Sequence, residues 1–130
     1  MTPIALSRRQ FAGGMAAMGV LAAPRYKLGV MTSMYAALPL DEAMKRVRKA
    51  GFNCISPARK HASDVVYSTD LPKAERARML RRIRDLGVEP VMSLGGFGGS
   101  DPSTEAGLGR YMAEIDLSAD FEIPVIVGVV

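Results

Sequence analysis

The chain has 130 residues, of which 48% are hydrophobic, and a formal net charge of +4 from 17 basic and 13 acidic side chains. This length accommodates one small packed domain, and the apolar fraction excludes a disordered low-complexity chain. A charge this mild gives no support for nucleic-acid binding, and the single cysteine, Cys54, excludes an intrachain disulfide and a thiolate metal cluster.

The N-terminal segment places two arginines before an apolar run. Residues 1–9 contain no acidic side chain and carry Arg8 and Arg9, whereas residues 11–23 are apolar or small throughout. This order is typical of an export signal, and the run is shorter than the roughly 20 residues that cross a bilayer. The sequence SRRQF at residues 7–11 resembles the twin-arginine export motif. We expect residues 1–23 to be a signal peptide of an exported or periplasmic protein, which contacts a membrane only through that signal; an ordinary signal or a basic N-terminal tail is the alternative.

Two strand-then-helix units are predicted after the signal. Residues 26–32 and 52–56 are short, mostly apolar runs of the kind that form buried strands. The first helix ends at Gly51 and has its apolar positions at helical spacing: Leu40, Ala43, Met44 and Val47. The second begins near residues 68–70, with Pro72 just inside it, and ends at Gly87; its apolar positions are Met79, Leu80, Ile83 and Leu86.

Two further units follow. Residues 88–94 predict a third strand, weakened at its beginning by Pro90. The glycine-rich loop at residues 94–103 lacks the lysine and spacing of a P-loop and predicts a flexible turn, capped by Ser100 or Asp101. A helix then has Leu108, Tyr111, Met112, Ile115 and Ala119 at helical spacing, and residues 124–130 predict a fourth strand.

Alternating strands and helices are typical of a parallel α/β architecture, in which the strands are continuous apolar runs. Two architectures fit this order, part of a (β/α) barrel and a small doubly wound sheet. Residues 32–39, after the first strand, contain no glycine, so the dinucleotide fingerprint is absent where a Rossmann unit would place it. This absence favours the barrel.

Four phrases together carry a family resemblance: KLGVMTSMY from Lys27, PLDEAMKRVRKAGFNCI from Pro39, LPKAERARMLRRIRDLGVEPVMSL from Leu71 and EIPVIVGVV from Glu122. In this order they resemble the first half of the sugar phosphate isomerase/epimerase family, the xylose-isomerase-like TIM barrels. The resemblance implies that residues 24–130 form the N-terminal half, about four βα units, of a (β/α)8 TIM barrel. It also implies a sugar or sugar phosphate as substrate and a divalent metal at the C-terminal ends of the strands.

The metal ligands that the resemblance implies are carboxylates and a histidine, mostly from the second half of such a barrel. The sequence stops at Val130, so these ligands have no matching positions in it. At the ends of the second and third strands stand Ser56 and Ser93, where many family members carry a glutamate and a histidine. We therefore expect no metal site or other cofactor within this chain, the implied metal being held by residues beyond Val130, and we assign no catalytic residue.

Four residues are candidates for substrate binding because of their positions after predicted strands: Thr32, Ser56, His61 and Ser93. His61 is the only histidine, and with Arg59 and Lys60 it could hold a sugar phosphate; a solvated polar loop is the alternative. The basic side chains of the second helix surround an apolar stripe without interleaved aromatic residues, as on a solvated helix face.

Two hypotheses about function remain. The first is a sugar or sugar phosphate isomerase/epimerase-like protein, truncated and without the metal-binding catalytic half. The second is a non-catalytic exported half-barrel that binds a ligand or forms homo-oligomers through its open edges, because a sheet that ends on an apolar strand exposes unpaired backbone. Whether the chain is an enzyme is left open, and neither hypothesis involves nucleic acid.

Overall fold

The computed structural model describes residues 26–95 and 100–128. The predicted signal peptide, part of the glycine-rich loop and the last two residues of the predicted fourth strand lie outside these residues. The described part forms three α-helices: α1 Leu40–Lys49, α2 Lys73–Asp85 and α3 Glu105–Asp120. Its seven short strands are β1 Gly29–Met31, β2 Cys54–Ser56, β3 Lys60–His61, β4 Asp64–Val65, β5 Glu89–Pro90, β6 Met92–Gly95 and β7 Val125–Gly128, and a 3-10 helix spans Thr32–Tyr35.

The strands that the sequence predicts pair in parallel with their neighbours in the chain. β1, β2 and β5 form one three-stranded sheet, and β6 pairs with β7. Only Val91 separates β5 from β6, and its amide donates to the carbonyl of Ile55 at 3.0 Å. The predicted third strand is therefore one run of chain that pairs with β2 through its first part and with β7 through its second. The fold is a mixed α/β arrangement with parallel strands.

Pro90 lies inside β5, which stays paired with β2. The amides of Glu89 and Val91 donate to carbonyls on the β2 side, at Asn53 and Ile55, over 2.8 and 3.0 Å. Successive amides of a strand point to opposite sides, so Pro90 occupies a position where pairing with β2 needs no N–H. The weakening predicted from the proline is therefore not seen in the pairing with β2, where the amides on both sides of Pro90 keep their hydrogen bonds.

α1 and α2 end before the glycines that the sequence predicts, whereas the predicted start of α2 and the predicted cap of α3 are wrong. Gly51 and Gly87 follow α1 and α2 with φ of +90° and +79°, a left-handed conformation that favours glycine after a helix. α2 begins after Pro72, which is its N-cap and not a residue inside it. Neither Ser100 nor Asp101 caps α3. The cap is Thr104, whose hydroxyl accepts a hydrogen bond from the Gly107 amide at 3.0 Å.

One core contains side chains from all three helices and from the sheet. The buried residues of α1 are the four predicted ones, and Leu80 and Ile83 of α2 join them around Ile55. Tyr67 and Phe121 meet edge to face with their ring centroids 5.1 Å apart. Cys54 is buried and free, as its apolar neighbours predict.

The apolar stripe predicted on the third helix is not its buried face. Leu108, Met112 and Ile115 have 53%, 52% and 45% of their surface exposed. The face that enters the core consists instead of Gly107, Glu114, Leu117 and Ser118. Gly107 lies against the Asp101 backbone, Glu114 pairs with Arg59 and Ser118 lies beside Ser93, whereas Leu117 packs in the apolar core.

The helices share one core and so lie on one face of the parallel strands. On the other face, four large apolar side chains are between 38% and 49% exposed: Met31, Leu94, Val125 and Val127. No helix of the described residues covers this second face, which we call the open face. A search of the same residues for a helix of a length and hydropathy sufficient to cross a membrane finds none.

Candidate functional site

A buried hydrogen bond joins Thr32, in the 3-10 helix, to His61, in β3. Both are fully buried, and the Thr32 hydroxyl lies 3.0 Å from Nε2 of His61 and accepts the Ala58 amide at 2.8 Å. Nδ1 of His61 lies 3.2 Å from the Tyr35 carbonyl, which only accepts, so Nδ1 carries the proton and Nε2 accepts from Thr32. Burial lowers the pKa of His61, although its carbonyl partners and the charge of Asp64 act in the opposite direction. Both ring nitrogens therefore make hydrogen bonds that stabilise the fold.

Ser93 lies on the helix side of the sheet. It is 1% exposed, and its hydroxyl lies 3.2 Å from that of Ser118 on α3. Ser118 in turn lies 2.6 Å from the Tyr67 hydroxyl. Ser93 thus belongs to a buried hydroxyl network that ties β6 to α3, and the structure does not bring it together with Ser56.

Ser56 is the one predicted site residue that lines cavities at the carboxyl edge of the sheet. A small cavity of about 150 Å³ lies where β1, β2 and β6 end, and Ser33, Ser56, Arg59 and Leu94 line it. Ser56 and Met31 also line a groove of about 480 Å³ on the open face, whose remaining wall is mostly apolar. Ligands of parallel α/β proteins bind at this edge, so the small cavity is the best candidate site.

Arg59 brings a cation to this edge and pairs with a buried acid. Its Nη2 lies 2.5 Å from Oε1 of Glu114 on α3. The Arg59 side chain is 44% exposed, whereas that of Glu114 is only 6% exposed. The guanidinium therefore has one side on the buried carboxylate and another toward solvent, where it can contact an anion. The predicted substrate loop contributes through Arg59 and not through His61.

Sequence reasoning missed Glu114 because it lies outside the apolar stripe. Its signal was its spacing, since Glu114 is three residues before Leu117 and seven before Phe121, and all three are buried.

The basic residues of α2, predicted to form a solvated face, include one that is mostly buried. Arg76 has a side chain only 12% exposed, donating to the carbonyls of Leu71 and Thr69 and to Asp120.

The divalent metal that the family resemblance implies does not fit the residues present. Ser56 and Ser93 supply single neutral hydroxyls at the ends of their strands, and Ser93 points to α3. In residues 26–95 and 100–128, no three side chains of histidine, cysteine, aspartate or glutamate lie together as a metal would require. Divalent metals of this kind need several carboxylate or imidazole ligands, so no chemical step at this edge is assigned to a metal.

Comparison of the chain with protein-family models, with curated proteins and with solved structures finds no match in any of the three.

Proposed function

We propose that the chain is a xylose-isomerase-like α/β protein that binds a sugar or sugar phosphate at the carboxyl edge of its parallel strands. The observation that carries this proposal is the grouping of Ser33, Ser56 and Arg59 around one cavity at that edge. The four phrases that resemble the sugar phosphate isomerase/epimerase family support the same substrate class.

The chemistry of the three side chains matches a phosphorylated sugar. The exposed side of Arg59 offers N–H donors in a fork that suits phosphate oxygens. Ser33 and Ser56 offer hydroxyls, which both donate to and accept from sugar hydroxyls. Met31 and Ser56 line both the small cavity and the apolar groove, and the carbon skeleton of the sugar would lie against Met31.

The proposal assigns binding to these residues and no proton or hydride transfer. His61 is not available as a proton carrier because Tyr35 and Thr32 occupy both ring nitrogens. An isomerase or epimerase would need a base and an electrophile beside the sugar carbonyl. The proposed function is therefore binding of a sugar or sugar phosphate of the kind that an isomerase or epimerase binds, with no catalytic step assigned.

Calorimetric titration of the 130-residue chain with glucose 6-phosphate, glucose and inorganic phosphate tests this function. We expect the sugar phosphate to bind more tightly than either part alone. Glu114→Gln should keep that binding because Arg59 remains, whereas the double variant Arg59→Gln/Glu114→Gln should weaken it by about tenfold or more through loss of the charged donor. Arg81→Gln, at an exposed position of α2, is the matched control. Equal affinities of the wild type and the double variant would contradict the proposal.

A second candidate function is self-association, and a specific observation favours it. Apolar side chains are exposed both on the open face, including Val125 and Val127, and along α3 at Leu108, Met112 and Ile115. Exposed apolar surfaces of this kind are typical of interfaces. Within the described residues β1 and β7 each pair on one side only, which leaves a strand edge at each end of the parallel run.

We also propose export through the twin-arginine signal at residues 7–11, which lie outside the described part of the chain. The supporting feature is the order of an arginine pair and an apolar run. Cell fractionation of the wild type and an Arg8→Lys/Arg9→Lys variant is the test. Export should stop in the variant, and equal export of both would contradict this mechanism.

A further inference from the structure

A second cavity lies on the helix side of the carboxyl edge, between α3 and the segment that follows β2. It has a volume of about 230 Å³, and its wall is formed by Arg59, Thr69, Arg110, Ala113 and Glu114. This cavity is separate from the sugar site, with which it shares only Arg59.

Glu114 lines this cavity and has one carboxylate oxygen without a partner in the described part of the chain. The residue is 4% exposed, and Oε1 is bonded to Arg59, whereas Oε2 is buried and has no hydrogen-bond partner among the described residues. A buried carboxylate oxygen without a partner is rare because it loses its hydration without gaining a hydrogen bond. Within residues 26–95 and 100–128 the carboxylate of Glu114 therefore lacks one donor, and the cavity that Glu114 lines is the space from which a ligand would supply it.

The charges around Oε2 define that donor. A bond to a carboxylate is about twice as strong when the donor is charged, which favours an ammonium group. A metal ion or a simple amine would bring an uncompensated positive charge to a cavity that already contains Arg59 and Arg110. The ligand must consequently carry an anionic group as well.

Arg110 is placed to receive this anionic group. It stands four residues before Glu114 on α3, so the two side chains are neighbours on one face, with Cβ atoms about 5–6 Å apart. Arg110 is exposed, and its Nη1 donates to the Ser100 hydroxyl at 3.0 Å, which uses one of five N–H donors. The buried Glu114 carboxylate thus accepts hydrogen bonds, and the exposed Arg110 guanidinium a short distance away donates them.

We propose that this cavity binds a small free α-amino acid, with its ammonium group on Oε2 of Glu114 and its carboxylate on Arg110. The small side chain of Ala113 leaves room for a short amino-acid side chain. This site does not depend on sugar binding at the other cavity.

Titration of the 130-residue chain with glycine, L-alanine and L-serine tests the proposal, with acetate and ethylamine as probes that lack the ammonium or the carboxylate. We expect at least one amino acid to bind, and both truncated probes to bind at least about tenfold more weakly, since each loses a charge-assisted pair. Glu114→Gln and Arg110→Gln should each weaken binding by a similar factor.

Asp116→Asn, a neutralised acid at an exposed position of α3, is the matched control and should bind like the wild type. Thermal melting of each variant verifies that it is folded. No binding of any of the three amino acids, or unchanged affinity in both Glu114→Gln and Arg110→Gln, would overturn the proposal. Because Glu114→Gln keeps Arg59, it separates this site from the sugar site: glucose 6-phosphate binding should persist in it.

Discussion

At the residue scale, the structure gives Thr32 and His61, two predicted substrate contacts, hydrogen-bond partners within the protein. Both follow predicted strands, where substrate contacts are expected, and the structure does bring them together at 3.0 Å. They are fully buried, however, and their polar atoms bond to each other, to the Ala58 amide and to the Tyr35 carbonyl. The sequence indicated that both residues stand near the ends of strands. It could not indicate that they are buried, because burial depends on the whole fold.

Thr32→Val tests the stabilising role of the Thr32 hydroxyl. Valine has the same shape but leaves the Ala58 amide and Nε2 of His61 without a buried partner. Because a buried group loses its partner, we expect the free energy of unfolding to fall by about 1–3 kcal/mol in urea denaturation. Ser33→Ala removes an exposed hydroxyl at the next position and should change it by less than about 0.5 kcal/mol. Equal effects of the two substitutions would contradict a stabilising role of the Thr32 hydroxyl.

The lowered pKa of His61 predicts a pH dependence of stability. Since the folded state disfavours the protonated ring, the unfolded chain binds more protons as the pH falls through the ordinary histidine pKa of 6.5. The contribution of His61 is therefore fully present above that value and is lost below it. Unfolding free energies at about pH 7.5 and about pH 5.5 should show lower stability in acid, and His61→Gln should reduce the difference. A pH difference of the same size in the variant would contradict this.

At the element scale, the helices and main strands could be predicted from local pattern, whereas the hairpin and the orientation of α3 could not. β3 and β4 form a hairpin across Ala62 and Ser63, with Ala62 at φ of +49°. Neither residue is a typical hairpin residue, because asparagine, aspartate or glycine normally occupies a positive φ. In α3, apolar spacing indicated the stripe that includes Met112, but tertiary contacts at Gly107 and Ser118 bury a different face.

Gly107 and Gly109 provide a matched test of that buried face. A Cβ on Gly107 would lie 1.8 Å from the Asp101 carbonyl oxygen, whereas a Cβ on Gly109 meets nothing within 4 Å. Gly107→Ala should therefore destabilise the protein by about 1–3 kcal/mol, since backbone must move. Gly109→Ala should stabilise it by up to about 1 kcal/mol through helix propensity. Thermal melting measures both, and the same sign for both substitutions would show that α3 is oriented differently.

At the scale of the whole molecule, the two faces of the sheet are unequal. One face is covered by three helices, and the open face has four apolar side chains about 40–50% exposed, the highest being Val125 at 49%. The sequence predicted strands that are apolar throughout, as in sheets covered on both sides. It could not show which side the helices of the described residues cover, because that depends on their connections in space.

The exposed apolar surfaces predict association in solution. In sedimentation velocity experiments the folded chain should form dimers or larger species that dissociate on dilution. Met112→Lys/Ile115→Lys on α3, or Val125→Lys on the open face, should shift the distribution toward monomers by placing charge in the interface. Lys49→Glu, at an exposed position of α1, is the control. A wild type that remains monomeric at every concentration would eliminate self-association.

The central claim is that the carboxyl edge around Ser33, Ser56 and Arg59 is a binding site for a phosphorylated sugar. The most direct measurement is a two-dimensional amide NMR titration of the labelled 130-residue chain with glucose 6-phosphate. The account predicts saturable shifts concentrated at Ser33, Ser56, Ala58 and Arg59, with little change in the exposed arginines of α2. No saturable shift, or shifts confined to the basic face of α2, would contradict it.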